Sequence, residues 1–264
     1  MKSWKTKTQM SESMALAVFL TLAGGFQDAY SYNCRGKVFA NAQTGNLVLL
    51  GQNLAMGNWP AALHYVIPLA AFLSGVYVTE WVHQRCRDYR KIHWRQIVLL
   101  VEVLLLTAVG LMPQSVNMLA NACLSFACAM QVNSFRKFKG LPFATTMCIG
   151  NMRSATAMLC KFRVTKEPSL WKKSRQYYFV IFVFAVGAAV GALMSLRFQG
   201  PALWVAALLL LIGFVLMFIR EDMESNPQLV HEWDEIGEDI RHLAQIPQKE
   251  LAGKEDASKS EKNC

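Results

Sequence analysis

Phe26-Gln27-Asp28-Ala29, then Gly36, then Phe39-Ala40-Asn41-Ala42-Gln43-Thr44-Gly45-Asn46, is a polar strip set in apolar sequence. It occurs twice. The second copy runs Met130-Gln131-Val132-Asn133, then Gly140, then Phe143-Ala144-Thr145-Thr146-Met147-Cys148-Ile149-Gly150-Asn151. Gln27, Gly36, Phe39 and Ala40 return 104 residues later as Gln131, Gly140, Phe143 and Ala144. Gly45-Asn46 returns as Gly150-Asn151 after a slip of one residue. Polar side chains are costly within a bilayer, so a duplicated polar strip there is read first as a functional site.

The surrounding chain supports that setting. It has 264 residues, is 53% hydrophobic, and has a mean hydropathy of +0.24. Six windows approach the roughly 20 apolar residues that span a bilayer. They are Met14–Cys34, Trp59–Val82, Ile97–Met112, Val116–Phe135, Tyr177–Leu196 and Pro201–Ile219. The net charge of +9 lies in short Lys/Arg blocks between these windows, as topology determinants do. That distribution argues against nucleic acid as a partner and for the lipid bilayer. The seven cysteines show no metal or redox spacing and read as small hydrophobes or loop residues. The early run after Lys2, Lys5 and Lys7 is a retained signal anchor, because cleavage would discard Gln27 and Asp28.

Two segments are ambiguous, Val38–Met56 and Leu141–Cys160, and each carries a cassette. If neither crosses and the N-terminus is cytoplasmic, the inner loops hold 18 Lys and Arg. The outer loops then hold 3, namely Arg35, Lys37 and Arg197. If both segments cross, the division is 10 against 11 and the bias vanishes. Insertion favours the biased arrangement. The expectation is an all-α polytopic membrane protein with six transmembrane helices, two short re-entrant or broken helices and an inverted 3+3 repeat. Repeat A covers about 14–112 and repeat B about 116–219, after a cytoplasmic N-terminus at 1–13. The two broken segments then enter from opposite sides, as in secondary transporters.

The residues of the cassettes also carry a resemblance. GGFQDAYSYNCRGKVFANAQTGNLVLLG and MQVNSFRKFKGLPFATTMCIGNMRSA resemble the paired signature of the YoaK family of bacterial multi-pass membrane proteins. The resemblance extends from about Met14 to Ile219. It implies membrane location and fold more than activity, since the family is a domain of unknown function. Two departures stand out. The family's Thr-Gly is here Ile149-Gly150, and Val132 separates Gln131 from Asn133 where many members have an adjacent pair.

The candidate substrate-binding residues are Gln27, Asp28, Asn41, Gln43, Thr44, Gly45, Asn46, Gln131, Asn133, Thr145, Thr146, Gly150, Asn151 and Arg153. Asp28 is a proton or cation site, or a cap for the broken segment. The amides and hydroxyls bind a polar solute, or satisfy freed backbone groups. Gly45 and Gly150 permit tight turns or close approach. Arg153 attracts an anion, neutralises Asp28, or snorkels to the surface. Glu102 is placed near the cytoplasmic end of its span, where it snorkels or pairs with a loop Arg, with a proton relay as the lesser alternative. Glu80 is interfacial. Trp59, Trp81, Trp94, Trp171, Tyr177 and Tyr178 form an interfacial belt. Gly187, Gly191 and Ala192 form a close-packing face.

Beyond Ile219 lies a cytoplasmic acidic tail, 220–264. Leu229, Trp233, Ile236, Ile240 and Leu243 give a short amphipathic helix over 227–245, a seam for a second copy or a protein partner. No cofactor motif and no enzyme constellation appears among the five histidines or elsewhere. The leading expectation is a secondary transporter or permease for a small polar solute in the bacterial inner membrane, with both termini cytoplasmic. The alternative is a non-transporting scaffold or sensor acting through the tail.

Overall fold

The computed structural model describes residues 13–86, 94–138 and 141–225. Helix α1 is Met14–Cys34, α2 Gln43–Ala55, α3 Trp59–Cys86 and α4 Trp94–Leu111. Helix α5 is Asn117–Ser134, α6 Cys148–Thr165, α7 Pro168–Phe198 and α8 Leu203–Ser225. A two-residue antiparallel pair, β1 Lys137–Phe138 and β2 Leu141–Pro142, lies between α5 and α6. The chain divides into two units at Met217. The first unit holds both cassettes. The expected seam over 227–245 lies outside the described residues.

Local chemistry accounts for the helix ends. Ser13 caps α1, its Oγ accepting from the Leu16 N–H at 3.2 Å. Lys166 ends α6 in the left-handed region, and Pro168 starts α7 where its missing N–H costs nothing. Pro113 follows α4 in an extended conformation. The breaks fall at the cassettes. Residues 35–42 separate α1 from α2, and 135–147 separate α5 from α6. At the first, Gly36 has φ +79, so the chain turns where a glycine carries no Cβ penalty.

Five described segments are long and apolar enough to cross a membrane: Trp59–Cys86, Trp94–Leu111, Gln114–Ser134, Pro168–Phe198 and Gly200–Met217. The expected windows undershot α3 and α7, whose polar ends continue the helix at 28 and 31 residues. Helix α1 has 21 residues, enough in length, but Gln27 and Asp28 lower its hydropathy below the other five.

Helix α1 packs along α7 and α3 along α5; α2 lies on α3, and α6 on α7. Glycines set the closeness. A Cβ at Gly187 of α7 would lie 2.2 Å from the Leu22 carbonyl oxygen of α1. One at Gly75 of α3 would lie 2.6 Å from the Phe126 carbonyl oxygen of α5. The small face containing Gly187 and Gly191 is therefore a helix seam, as expected. The largest apolar core gathers Leu16, Leu20 and Phe26 of α1 with Leu99 and Leu106 of α4, Leu124 of α5, and Leu203 and Leu210 of α8.

Two members of the expected aromatic belt are core residues. Trp94 and Tyr177 are buried, whereas Trp59, Trp81 and Trp171 are exposed. The Tyr177 hydroxyl donates to the Pro142 carbonyl at 2.5 Å, and Trp94 packs beside His83. Each ring is covered by the fold while its polar neighbour stays partly open.

Candidate functional site

The first break is held by its own cassette. The Asn41 N–H donates to Asp28 Oδ1 at 2.8 Å, and the Ala40 N–H donates to Ser31 Oγ at 3.0 Å. The Ala40 carbonyl accepts from Gln43 Nε2 at 2.7 Å and from Ser125 Oγ at 3.2 Å. Asn46 Nδ2 donates to the Phe39 carbonyl at 2.8 Å and to Gln43 Oε1 at 3.0 Å. These bonds replace the intrahelical partners that the break removes. Asp28 thus holds the loop ahead of α2, whose own N-cap, Ala42, has no side-chain hydrogen bond.

The second break follows the same plan. Asn151 Nδ2 donates to the Ala144 carbonyl at 2.8 Å, and the Ala144 N–H reaches back to Asn151 Oδ1 at 3.5 Å. Asn46 and Asn151 each close a loop onto a carbonyl seven residues earlier. Thr146 Oγ1 lies 3.8 Å from Cys128 Sγ, and both threonines are buried.

Both breaks arrive at one turn of α1. Asn41 Nδ2 donates to the Gly24 carbonyl at 2.8 Å. On the same residue, a Cβ would meet Thr146 Cγ2 at 2.7 Å and the Thr145 carbonyl at 3.4 Å. Only a glycine admits this approach. Gln131 Nε2 donates to the Leu20 carbonyl at 3.2 Å, one turn earlier. One turn later, Gln27 Nε2 donates to Glu102 Oε1 at 3.4 Å. The site is therefore a polar layer along Leu20–Ser31, enclosed by both breaks, α4 and α5.

Glu102 belongs to this layer. It is fully buried, has no cation in ion-pair range among the described residues, and neither snorkels nor meets a loop Arg. Its position in the sequence suggested the helix end. Its side of α4 faces α1 instead. Glu80 is partly exposed, paired with Arg136 at 3.0 Å and with Asn133 Nδ2 donating to it at 3.3 Å. Asn133 thus belongs to this pair and not to the polar layer. Thr44, Gly150 and Arg153 are exposed, outside the layer. Gly45 is helical, and a Cβ there would make only an ordinary 3.7 Å contact with the Phe39 ring.

Arg35 is the main residue the sequence reading misplaced. It was counted among the outer-loop cations but is 0% exposed. Its guanidinium donates to the Tyr30 hydroxyl, to Asn117 Oδ1 and to the carbonyls of Val109, Met112 and Pro113. Val109 is in the last turn of α4, and Met112 and Pro113 follow it; the Val109 and Pro113 carbonyls also accept the Met112 and Val116 N–H groups, so the cation sits at the negative end of that helix. Asn121, whose Nδ2 donates to the Arg35 carbonyl at 2.6 Å, and Ser125 were also unremarked. The available signal was the spacing of Asn117, Asn121 and Ser125, four apart in an apolar window.

No curated protein and no solved structure matches this chain. A family profile matches residues 16–216, which takes in both cassettes and the described α-helices except the start of α1 and the end of α8, and on that match the chain belongs to the family described as protein of unknown function, DUF1275.

Proposed function

We propose that this protein moves a small polar solute across a cell membrane by alternating access around the two broken segments. The observation that carries the reading is the meeting of both breaks at Gly24. Asn41 binds its carbonyl, and Thr146 fills the place a Cβ there would take. Irregular backbone at membrane depth is tolerated where protein buries it or where it lines a path. Placing two such segments on one turn concentrates polar groups where they cost most.

In this reading α1 is the sixth crossing, and α2 and α6 are half-crossings entering from opposite faces. The halves form an inverted repeat. Three features support it. The α1–α7 seam has its counterpart in the α5–α3 seam. Leu22 against Gly187 matches Phe126 against Gly75, and Leu22 and Phe126 are 104 residues apart, the spacing of Gln27 and Gln131. The Asn46 and Asn151 loops have one design. An exchange of the two halves' roles is the motion that such symmetry allows. The membrane is the bacterial inner membrane, with Lys and Arg blocks holding both termini on the cytoplasmic side.

The test is a melting-temperature screen of purified protein against solutes, followed by flux in proteoliposomes. A true ligand at about a hundred times its dissociation constant adds roughly 2.7 kcal/mol. Asn41→Ala should abolish ligand stabilisation and flux while the unliganded protein still melts cooperatively. If no solute acts, or if flux equals that of protein-free vesicles, the reading is wrong.

A further inference from the structure

We infer that the ligand of this layer is a monovalent cation, an alkali ion or a small protonated amine, held by Glu102 and Gln27; this rests on the transport reading above. The argument begins with the sign of the unpartnered groups. Among the described residues, every buried side-chain nitrogen or oxygen without a partner is an oxygen. Gln27 Oε1, Asn41 Oδ1, Gln131 Oε1 and Glu102 Oε2 all lie in the polar layer. The orientation of two of them is fixed by chemistry. Asn41 Nδ2 faces the Gly24 carbonyl and Gln131 Nε2 faces the Leu20 carbonyl, and a carbonyl only accepts. The nitrogens are therefore engaged, and the free lone pairs belong to oxygens. A ligand that satisfies them must donate hydrogen bonds or carry positive charge.

Charge points the same way. Asp28 and Glu102 are both buried, and neither has a Lys, Arg or His in ion-pair range among the described residues. The two cations that sequence placed nearby are not available. Arg35 is committed to a hydroxyl, an amide oxygen and three carbonyls, and Arg153 is exposed. An anion would enter next to two carboxylates, with only the Thr21 and Thr145 hydroxyls among the described residues of the layer free to donate to it. An unpaired buried carboxylate is costly, and a bound cation removes that cost.

Valence follows from the ligand set. Glu102 is the one carboxylate bonded to Gln27, and Asp28 is bonded instead to the Asn41 N–H. Divalent sites gather several carboxylates, six to eight oxygens in all for calcium. Among the described residues, no group of three acidic, His or Cys side chains is arranged to hold a metal ion. One carboxylate with neutral amide oxygens balances a single positive charge.

The experiment melts the purified full-length protein in detergent while LiCl, NaCl, KCl, NH4Cl or methylammonium chloride replaces N-methyl-D-glucamine chloride at constant ionic strength. The expected result is a saturable rise in melting temperature for at least one of them. An alkali response and an ammonium response identify the two sources. Glu102→Gln should weaken the fitted affinity at least tenfold. Gln27→Lys, which tethers an ammonium beside Glu102, should remove the response and carries the test if Glu102→Gln does not fold. A flat response to every cation overturns the inference, as does a response unchanged in both variants. If an anion, zwitterion or sugar instead gives saturable stabilisation that Asn41→Ala abolishes, this inference falls and the transport reading stands. If no solute of any charge acts, both fall.

Discussion

At the scale of single residues, burial separates cations that look alike in sequence. Arg35 and Arg153 each follow a cassette helix or lie within one, yet one is enclosed and the other exposed. Removing the Arg35 side chain takes its donors from the Met112 carbonyl and Asn117 Oδ1 and leaves the Val109 and Pro113 carbonyls with only their backbone donors. Arg35→Ala should therefore cost about 3 kcal/mol in reversible unfolding in detergent. Arg35→Lys should recover only part of that, because an ammonium has three donors and not a planar fork. Arg153→Ala should stay within about 0.5 kcal/mol of the parent, as surface changes do. A large effect at Arg153 with none at Arg35 would contradict the placement of both.

Asn46 and Asn151 give a matched pair at the same scale. Each ties the start of a short helix to the loop before it. Asn46→Leu and Asn151→Leu should both destabilise, each by about 1–3 kcal/mol for the carbonyl left unpaired. Equal losses in both fit one design used twice.

At the scale of elements, the glycines that matter are the ones at seams. Gly187→Ala and Gly75→Ala place a methyl against backbone oxygen, which cannot swing aside as a side-chain end would. Each should lower stability by about 1–3 kcal/mol through overpacking, measured by the same unfolding assay. Gly51→Ala and Gly150→Ala meet nothing within 4 Å and should be neutral or slightly stabilising. The glycine of the Gly-Asn pair is conspicuous in sequence. Packing instead requires a glycine at seam positions and at Gly24, where the second break packs on α1.

At the scale of the whole molecule, two expectations concern the membrane unit. In a cysteine-free background, probes at Arg136 and Lys172 should react only from the cytoplasmic side, and probes at Lys37 and Arg197 only from outside. External labelling at Arg136 would remove the half-crossing assignment of α2 and α6. Truncation after Pro227 should leave a protein that inserts and melts cooperatively, because the first unit ends at Met217 and holds both breaks. Aggregation of the truncated chain would make the tail part of the fold.

Sequence alone determined the helical membrane class, the location of the two breaks and the identity of most groups that line them. These are local properties: apolar length, the cost of polar groups in lipid, and glycine at a turn. It also determined the family, because the paired cassettes are a pattern in one dimension. Only the tertiary structure decided which face each residue presents. Glu102 lies close to a basic loop in sequence but turns towards Gln27, 75 residues away. Arg35 ends a cassette helix in sequence but closes the end of α4, more than 70 residues on. Trp94 and Tyr177 sit at span edges in sequence and in the core in space. Hydropathy records how costly a side chain is within a membrane. Which partner offsets that cost is a matter of packing between distant segments, and no local pattern encodes it.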